Sequence, residues 1–286
     1  MIRGEPLISI SGLPTGIESS KMPDNVDIPP LTVPTAESRP QGHAELASQE
    51  PVLLEHGGPI RGEPQTLNTR LFVQFHAFTG CLEATPVTAA VRKSGLSAVV
   101  YANLNDPRGL GVLFMSEDPG LFAGAVRELL IKSPFRELAP TPAFTMIGRT
   151  YGSGREPKLK DFLLHKVPRN VLNSDYPWAI WYPLRRTGAF NLLPRAEQGK
   201  ILYEHGMLGR RYGEAGYAVD VRLECHGIDR DDNEFVIGLI GPELYPLSKL
   251  VKDMRSTRQT AEFIQAMGPF FVGKVLYQAP LSQTSR

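Results

Sequence analysis

From Arg70 to Phe78 large apolar residues alternate with smaller or polar ones, the two-residue period of a β-strand. Thr85–Ser94 carries a helical pattern. Leu96–Leu104 and LGVLFMS from Leu110 are β-branched, apolar strands separated by the turn NDPRG. Ser116-Glu117-Asp118-Pro119 has the acidic residues and early proline of a helix start, and the helix runs to about Lys132. Pro142–Gly152 closes the set as a strand. The order β-α-β-β-α-β is ferredoxin-like. It then recurs: strand at Tyr176–Arg186, helix at Pro194–Tyr212, strand at Tyr217–Cys225, strand in EFVIGLIG, helix at Pro242–Thr257 and strand at Gly268–Gln278. Two copies in tandem predict an α+β fold with two sheets packed or closed against each other and helices outside.

Before Arg70 there is no such period. Ten of the 25 prolines precede residue 65, and the first aromatic residue is Phe72. A stretch this poor in large apolar side chains cannot offset its ordering entropy, so residues 1–68 are expected to be a disordered tail. The pentapeptide IRGEP occurs at Ile2–Pro6 and again at Ile60–Pro64, too little for a repeat architecture. The expected organisation is a tail (1–68), a first half (69–152), a polar linker (153–175) and a second half (176–280). A crevice between related halves is a common place for a cofactor.

Composition narrows the classes. Hydrophobic residues make 42% of the chain and charged ones 21%, as in globular proteins, and a net charge of +1 gives no nucleic-acid footprint. No apolar run reaches the roughly 20 residues of a membrane span. No secretory signal is read in MIRGEPLISISGLPTG, and Cys81 and Cys225 form no CxxC, so a reducing cytoplasm is expected.

The chemistry-bearing residues concentrate between His165 and Tyr212. On the 194–212 helix Ile201, His205, Leu208 and Tyr212 form one stripe, which turns His205 inward. Gly206 and Gly209 lie beside it, although glycine in a helix costs about 1 kcal/mol relative to alanine. A close, flat neighbour would explain them, and so would helix packing. On residues alone a hydrogen-bonded core histidine is the commoner explanation, but one histidine suffices as a haem iron ligand. Trp178, Ile180 and Tyr182 share one strand face, and Ala179, Trp181 and Pro183 the other. Pro183 suggests an edge or a bulge. Arg185 and Arg186 suit carboxylates at a pocket rim, or simply a solvated strand end. His165 lies in the polar linker, where a surface histidine is the default. Asp220 and Arg222 share a face of the next strand.

Three blocks resemble the chlorite dismutase family of haem proteins, its coproheme decarboxylase branch in particular: WYPLRR…LLP…EHGMLGRRY (Trp181–Tyr212), HGIDRDDNEFVIGLIG, and MRSTRQTAEF…GPFFVG (Met254–Gly273). The resemblance spans roughly Arg70 to Gln278. It implies tandem ferredoxin-like repeats in a dimeric-type α+β barrel, a haem or coproheme group in the second half, and homo-oligomers, often pentamers. It makes His205 the proximal iron ligand, Tyr182 the radical-forming tyrosine and Arg186 a basic residue near the reacting propionate. It makes His165 the base towards hydrogen peroxide, and Arg255 and Thr260 propionate-binding positions. The stretch after Tyr212 is longer than in relatives, which leaves Ala218, Asp220 and Arg222 as candidates for the distal position. A distal arginine would favour chlorite chemistry. The implied activity is hydrogen peroxide-dependent decarboxylation of coproheme to haem b. The alternatives are dismutation of chlorite to chloride and dioxygen, or a non-enzymatic haem-binding or structural protein.

Overall fold

The computed structural model describes residues 52–280. Each half lays down its strands in the expected order, and together they close a barrel. The first half contributes β3 (Phe72–Thr79), β4 (Ala98–Asn103), β5 (Leu110–Ser116) and β7 (Met146–Arg149), with the two-residue β6 (Ala139–Pro140) paired to the end of β3. The second contributes β8 (Trp178–Arg186), β9 (Val219–Glu224), β10 (Phe235–Gly241) and β12 (Phe271–Gln278). Hydrogen-bonded neighbours run β8–β10–β9–β7–β3–β5–β4–β12 and back to β8. The halves join firmly through β12 and β4, and by the single pairing Arg149↔Glu224 between β7 and β9.

Alternation sorts the side chains as the pleat requires. Phe75, Tyr101, Trp181 and Phe271 fill the interior with the aliphatic residues of the same faces. Glycines make room for these rings: a Cβ on Gly238 would lie 2.5 Å from Trp181. The outer face of the first half is covered by α1 (Ala84–Ser94), by the Phe122–Val126 turn and by the short α2 (Arg127–Leu130). The outer face of the second half holds Ile180, Tyr182, Leu184 and Leu239. One turn of helix, α4 (Ala189–Leu192), leads from β8 into α5 (Arg195–Glu214). Helix α5 packs on this face through Leu208 and Tyr212, and α6 (Leu244–Met254) through Leu247 and Leu250.

Pro183 sits at a handover, not at an edge. The strand pairs β12 as far as Trp181, then β11 (Ile264–Met267) from Leu184 onward. The missing proline N–H falls in the gap, and the Pro183 carbonyl accepts the N–H of Gly268 at 2.9 Å.

Two expectations need correction. Residues 55–67 are an ordered hairpin, β1 (Glu55–Ile60) with β2 (Glu63–Leu67). The second IRGEP is its turn, with Arg61 and Gly62 both at positive φ, the geometry of a tight hairpin. Polar anchoring replaces the missing aromatics. Glu55 accepts bonds from Arg70, Arg149 and the Gly152 N–H, and Gln65 bonds the Glu156 carbonyl and the Leu159 N–H. Residues 1–51 of the expected tail, with the first IRGEP, lie outside the described residues. The linker is largely helical, through Asp161–His165 and α3 (Lys166–Val171), because Leu163, Leu164, Val167 and Val171 give it a buried face.

Candidate functional site

Helix α5 and the turn between α6 and α7 (Arg258–Phe263) fix His205. Its Nδ1 lies 3.0 Å from the Thr257 Oγ1. The Thr257 hydroxyl is 2.7 Å from the Met254 carbonyl, which can only accept, so the single hydroxyl proton goes there. Thr257 Oγ1 must then accept from His205, so Nδ1 carries the ring proton. Nε2 is left with its lone pair and has no partner among the described residues. Burial pushes the imidazole below its ordinary pKa, the charge of Arg222 lowers it further, and Asp220 and Glu204 partly offset this. A neutral histidine with a fixed tautomer and an open Nε2 is what a metal ligand requires. A Cβ on Gly206 would meet open space, and one on Gly209 only the Met254 methyl at 3.3 Å.

Tyr182 projects from the outer face of β8 and stacks on Phe270 with ring centroids 4.5 Å apart. Its ring is buried among Ile180, Leu184, Leu239 and the side chains of α5 and α6, while its hydroxyl has no hydrogen-bond partner among the described residues. Burial raises its pKa well above the ordinary phenol value, Arg255 opposes this and Asp220 adds to it, so Tyr182 is a neutral phenol.

Strand register sets a polar row beside it. Tyr182 faces Ile237 and Ile237 faces Arg222, while Ile180 faces Leu239 and Leu239 faces Asp220. Asp220 and Arg222 therefore share the Tyr182 face. Their side chains are half-exposed, at 43% and 46%. Asp220 Oδ2 lies 2.9 Å from Arg222 Nε, and Oδ1 3.0 Å from Lys166 Nζ. Burial opposes ionisation of Asp220, but Lys166 and Arg222 outweigh it and hold the carboxyl below its usual range. Ala218 is buried against the core beneath.

The remaining expected residues divide. Arg255 is exposed at the end of α6, and its charge reaches Tyr182. Thr260 joins the His205 network, 3.3 Å from Thr257. Arg186 is otherwise engaged: Nε bonds Glu234 at 3.0 Å, and the guanidinium lies over Phe190 and Phe235 at 4.3 and 4.8 Å from the ring centroids. His165 lines a separate cavity of about 780 Å³ on the first-half side, together with Thr69, Arg92, Leu96 and Tyr277. Its neighbour Lys166 is the residue that reaches Asp220. Sequence reasoning missed Thr257 and Lys166. The only signal for Thr257 was its helix-start position two residues after Arg255, and Lys166 gave none.

The pattern of the family described as chlorite dismutase matches residues 111–276. A coproheme decarboxylase from Staphylococcus carnosus (strain TM300) is 33% identical over 129 residues, 44% of this chain and 47% of that protein, so the match spans less than half of the relative. A haem-binding protein from Thermus thermophilus shares the fold with a TM-score of 0.57 at 20% identity, covering 73% of this chain and 92% of that one. The chlorite dismutase of Candidatus Nitrospira defluvii, solved with imidazole, does so with a TM-score of 0.56 at 14% identity and the same coverage.

Proposed function

The chain belongs to the chlorite dismutase family, and on that premise we propose that it is a haem-binding oxidoreductase acting as a hydrogen peroxide-dependent coproheme decarboxylase. The observation that carries the reading is a histidine with an open Nε2 close to a tyrosine whose hydroxyl has no partner among the described residues, near enough that the charge of Asp220 acts on both. The residues fit an iron porphyrin. His205 is held as a neutral ligand. Tyr182, Phe270, Leu208 and Met267 offer apolar walls, and Arg255 brings a cation close enough to act on Tyr182, a charge that suits a carboxylate.

Bound iron would supply the activation of peroxide. The chain's own residues do the rest. Thr257 holds the Nδ1 proton of His205 and so keeps Nε2 directed and basic. Tyr182 rests protonated, so its proton and electron leave together when peroxide oxidises it. The phenoxyl takes a hydrogen atom from the β-carbon of a propionate, which restores the phenol. The C–C bond to the carboxylate then breaks, carbon dioxide leaves, and the electron released goes to the second oxidising equivalent of peroxide. For each side chain, propionate, peroxide and one proton become vinyl, carbon dioxide and two waters. Arg222 on the Tyr182 face favours chlorite dismutation as the second reading.

A homo-oligomeric, cytoplasmic enzyme belongs to the same proposal. Two buried free thiols suit a reducing compartment, and among the described residues no helix is long and apolar enough to cross a membrane. The test is incubation with ferric coproheme and peroxide, with the porphyrins identified by mass. Two successive losses matching the conversion of propionate to vinyl are expected, and none from Tyr182→Phe, which should still bind coproheme. Normal conversion by Tyr182→Phe sinks the decarboxylase reading, and dioxygen release on adding chlorite favours the second.

A further inference from the structure

Arg222 stands half-exposed on the Tyr182 face, yet it is not free. Its Nε is turned onto Asp220 at 2.9 Å, along the strand, and the two side chains stand one above the other in adjacent register rows. Asp220 is held from its other side. Lys166, the first residue of α3, bonds its second oxygen at 3.0 Å. The Asn170 side chain bonds the Asp220 carbonyl at 3.4 Å, so α3 grips both the side chain and the backbone of this position. The three charges thus form a chain, Lys166–Asp220–Arg222, anchored in a helix at one end and half-exposed at the other. One oxygen of this carboxylate accepts a charge-assisted hydrogen bond from Lys166 and the other is ion-paired with Arg222 Nε, and an arginine so paired offers less of its charge to an incoming anion.

We propose that Asp220 is a specificity-determining positioning residue: by holding Arg222 it keeps the crevice selective for a neutral oxidant such as hydrogen peroxide over an anionic one such as chlorite. The proposal rests on the haem-binding reading above. The oxidant's charge decides the outcome. A neutral molecule gains little from a free guanidinium, whereas a small anion gains a charge-assisted hydrogen bond, the kind that is about twice as strong as a neutral one. Lys166 acts through Asp220, since neutralising it loosens the restraint without adding a cation to the crevice.

The test uses ferric haem-loaded protein and two iron ligands, fluoride as the anion and imidazole as the neutral control, each titrated by absorbance. Asp220→Asn is expected to bind fluoride about tenfold more tightly than the wild type, the equivalent of about 1.4 kcal/mol, with imidazole affinity unchanged. Asp220→Glu, which keeps a carboxylate, should restore wild-type behaviour. The double variant Asp220→Asn/Arg222→Ala should lose the gain. A gain that survives removal of Arg222 would mean that only a negative charge had been deleted, and it overturns the proposal, as does unchanged fluoride affinity in Asp220→Asn. Failure of the wild type to take up haem would instead overturn the haem-binding reading itself.

Discussion

Replacing Thr257 with valine changes one atom of consequence. Valine matches threonine in shape and fills the same buried space, 5% exposed, but puts a methyl where the hydroxyl accepted the His205 Nδ1–H at 3.0 Å. A buried donor left without an acceptor costs about 1–3 kcal/mol. The imidazole can avoid part of this by rotating or by moving its proton to Nε2, and either escape removes the lone pair that a metal would use. Losing an outer-shell partner of this kind typically weakens metal binding about 10–100-fold, which agrees with that free-energy range at about 1.4 kcal/mol per tenfold. The turn itself should survive, because the Met254 carbonyl keeps the Thr257 N–H at 3.0 Å. The haem Kd is therefore expected to rise about 10–100-fold, while the haem-free protein loses no more than about 1–2 kcal/mol of stability. Titration of ferric haem into wild type, Thr257→Val, Thr257→Ser and His205→Ala, followed at the Soret band, reads the first. Thermal unfolding reads the second. Thr257→Ser keeps the hydroxyl and should bind as the wild type does. If Thr257→Val binds haem as tightly as the wild type while His205→Ala does not, the tautomer argument is wrong.

Two further outcomes test the fold around the site. His76 lies on the outer face of β3, and burial depresses its pKa from the ordinary 6.5 to about 4. The unfolded chain then takes up a proton that the folded one refuses, so stability should fall as pH drops from 6.5 towards 4, by about 2–3 kcal/mol in all. His76→Phe should flatten that slope in denaturant melts across the window, and an unchanged slope would contradict it. Gly238→Ala would place a methyl against Trp181 inside the barrel and should cost about 1–3 kcal/mol. A melting temperature equal to wild type would show that the interior yields more easily than its packing implies.

The alternating strands, the doubled β-α-β-β-α-β order and the facing of Trp181 and Tyr182 were legible along the chain because each follows from local periodicity. The inward stripe of α5 was legible for the same reason: Ile201, Leu208 and Tyr212 all pack as their spacing predicts. What the stripe could not reveal was the partner of His205, since Thr257 lies 52 residues away and meets it only when α7 docks on α5. The hairpin at Glu55–Leu67 escaped because its anchors, Arg149, Gly152 and Glu156, are about ninety residues distant, and no apolar pattern announces hydrogen bonds.

His165 and Lys166 show the same division at its sharpest. Linear spacing before Tyr182 could not distinguish two consecutive residues, but consecutive residues of a helix point about 100° apart. The docking of α3 against β9 turned Lys166 to Asp220 and left His165 facing another cavity. Which elements form, and which of their faces are apolar, could be read along the chain, because both depend on residues within a turn or two of one another. Only barrel closure decided which polar groups meet, because each such contact joins strands and helices that nothing short of the closed sheet holds side by side.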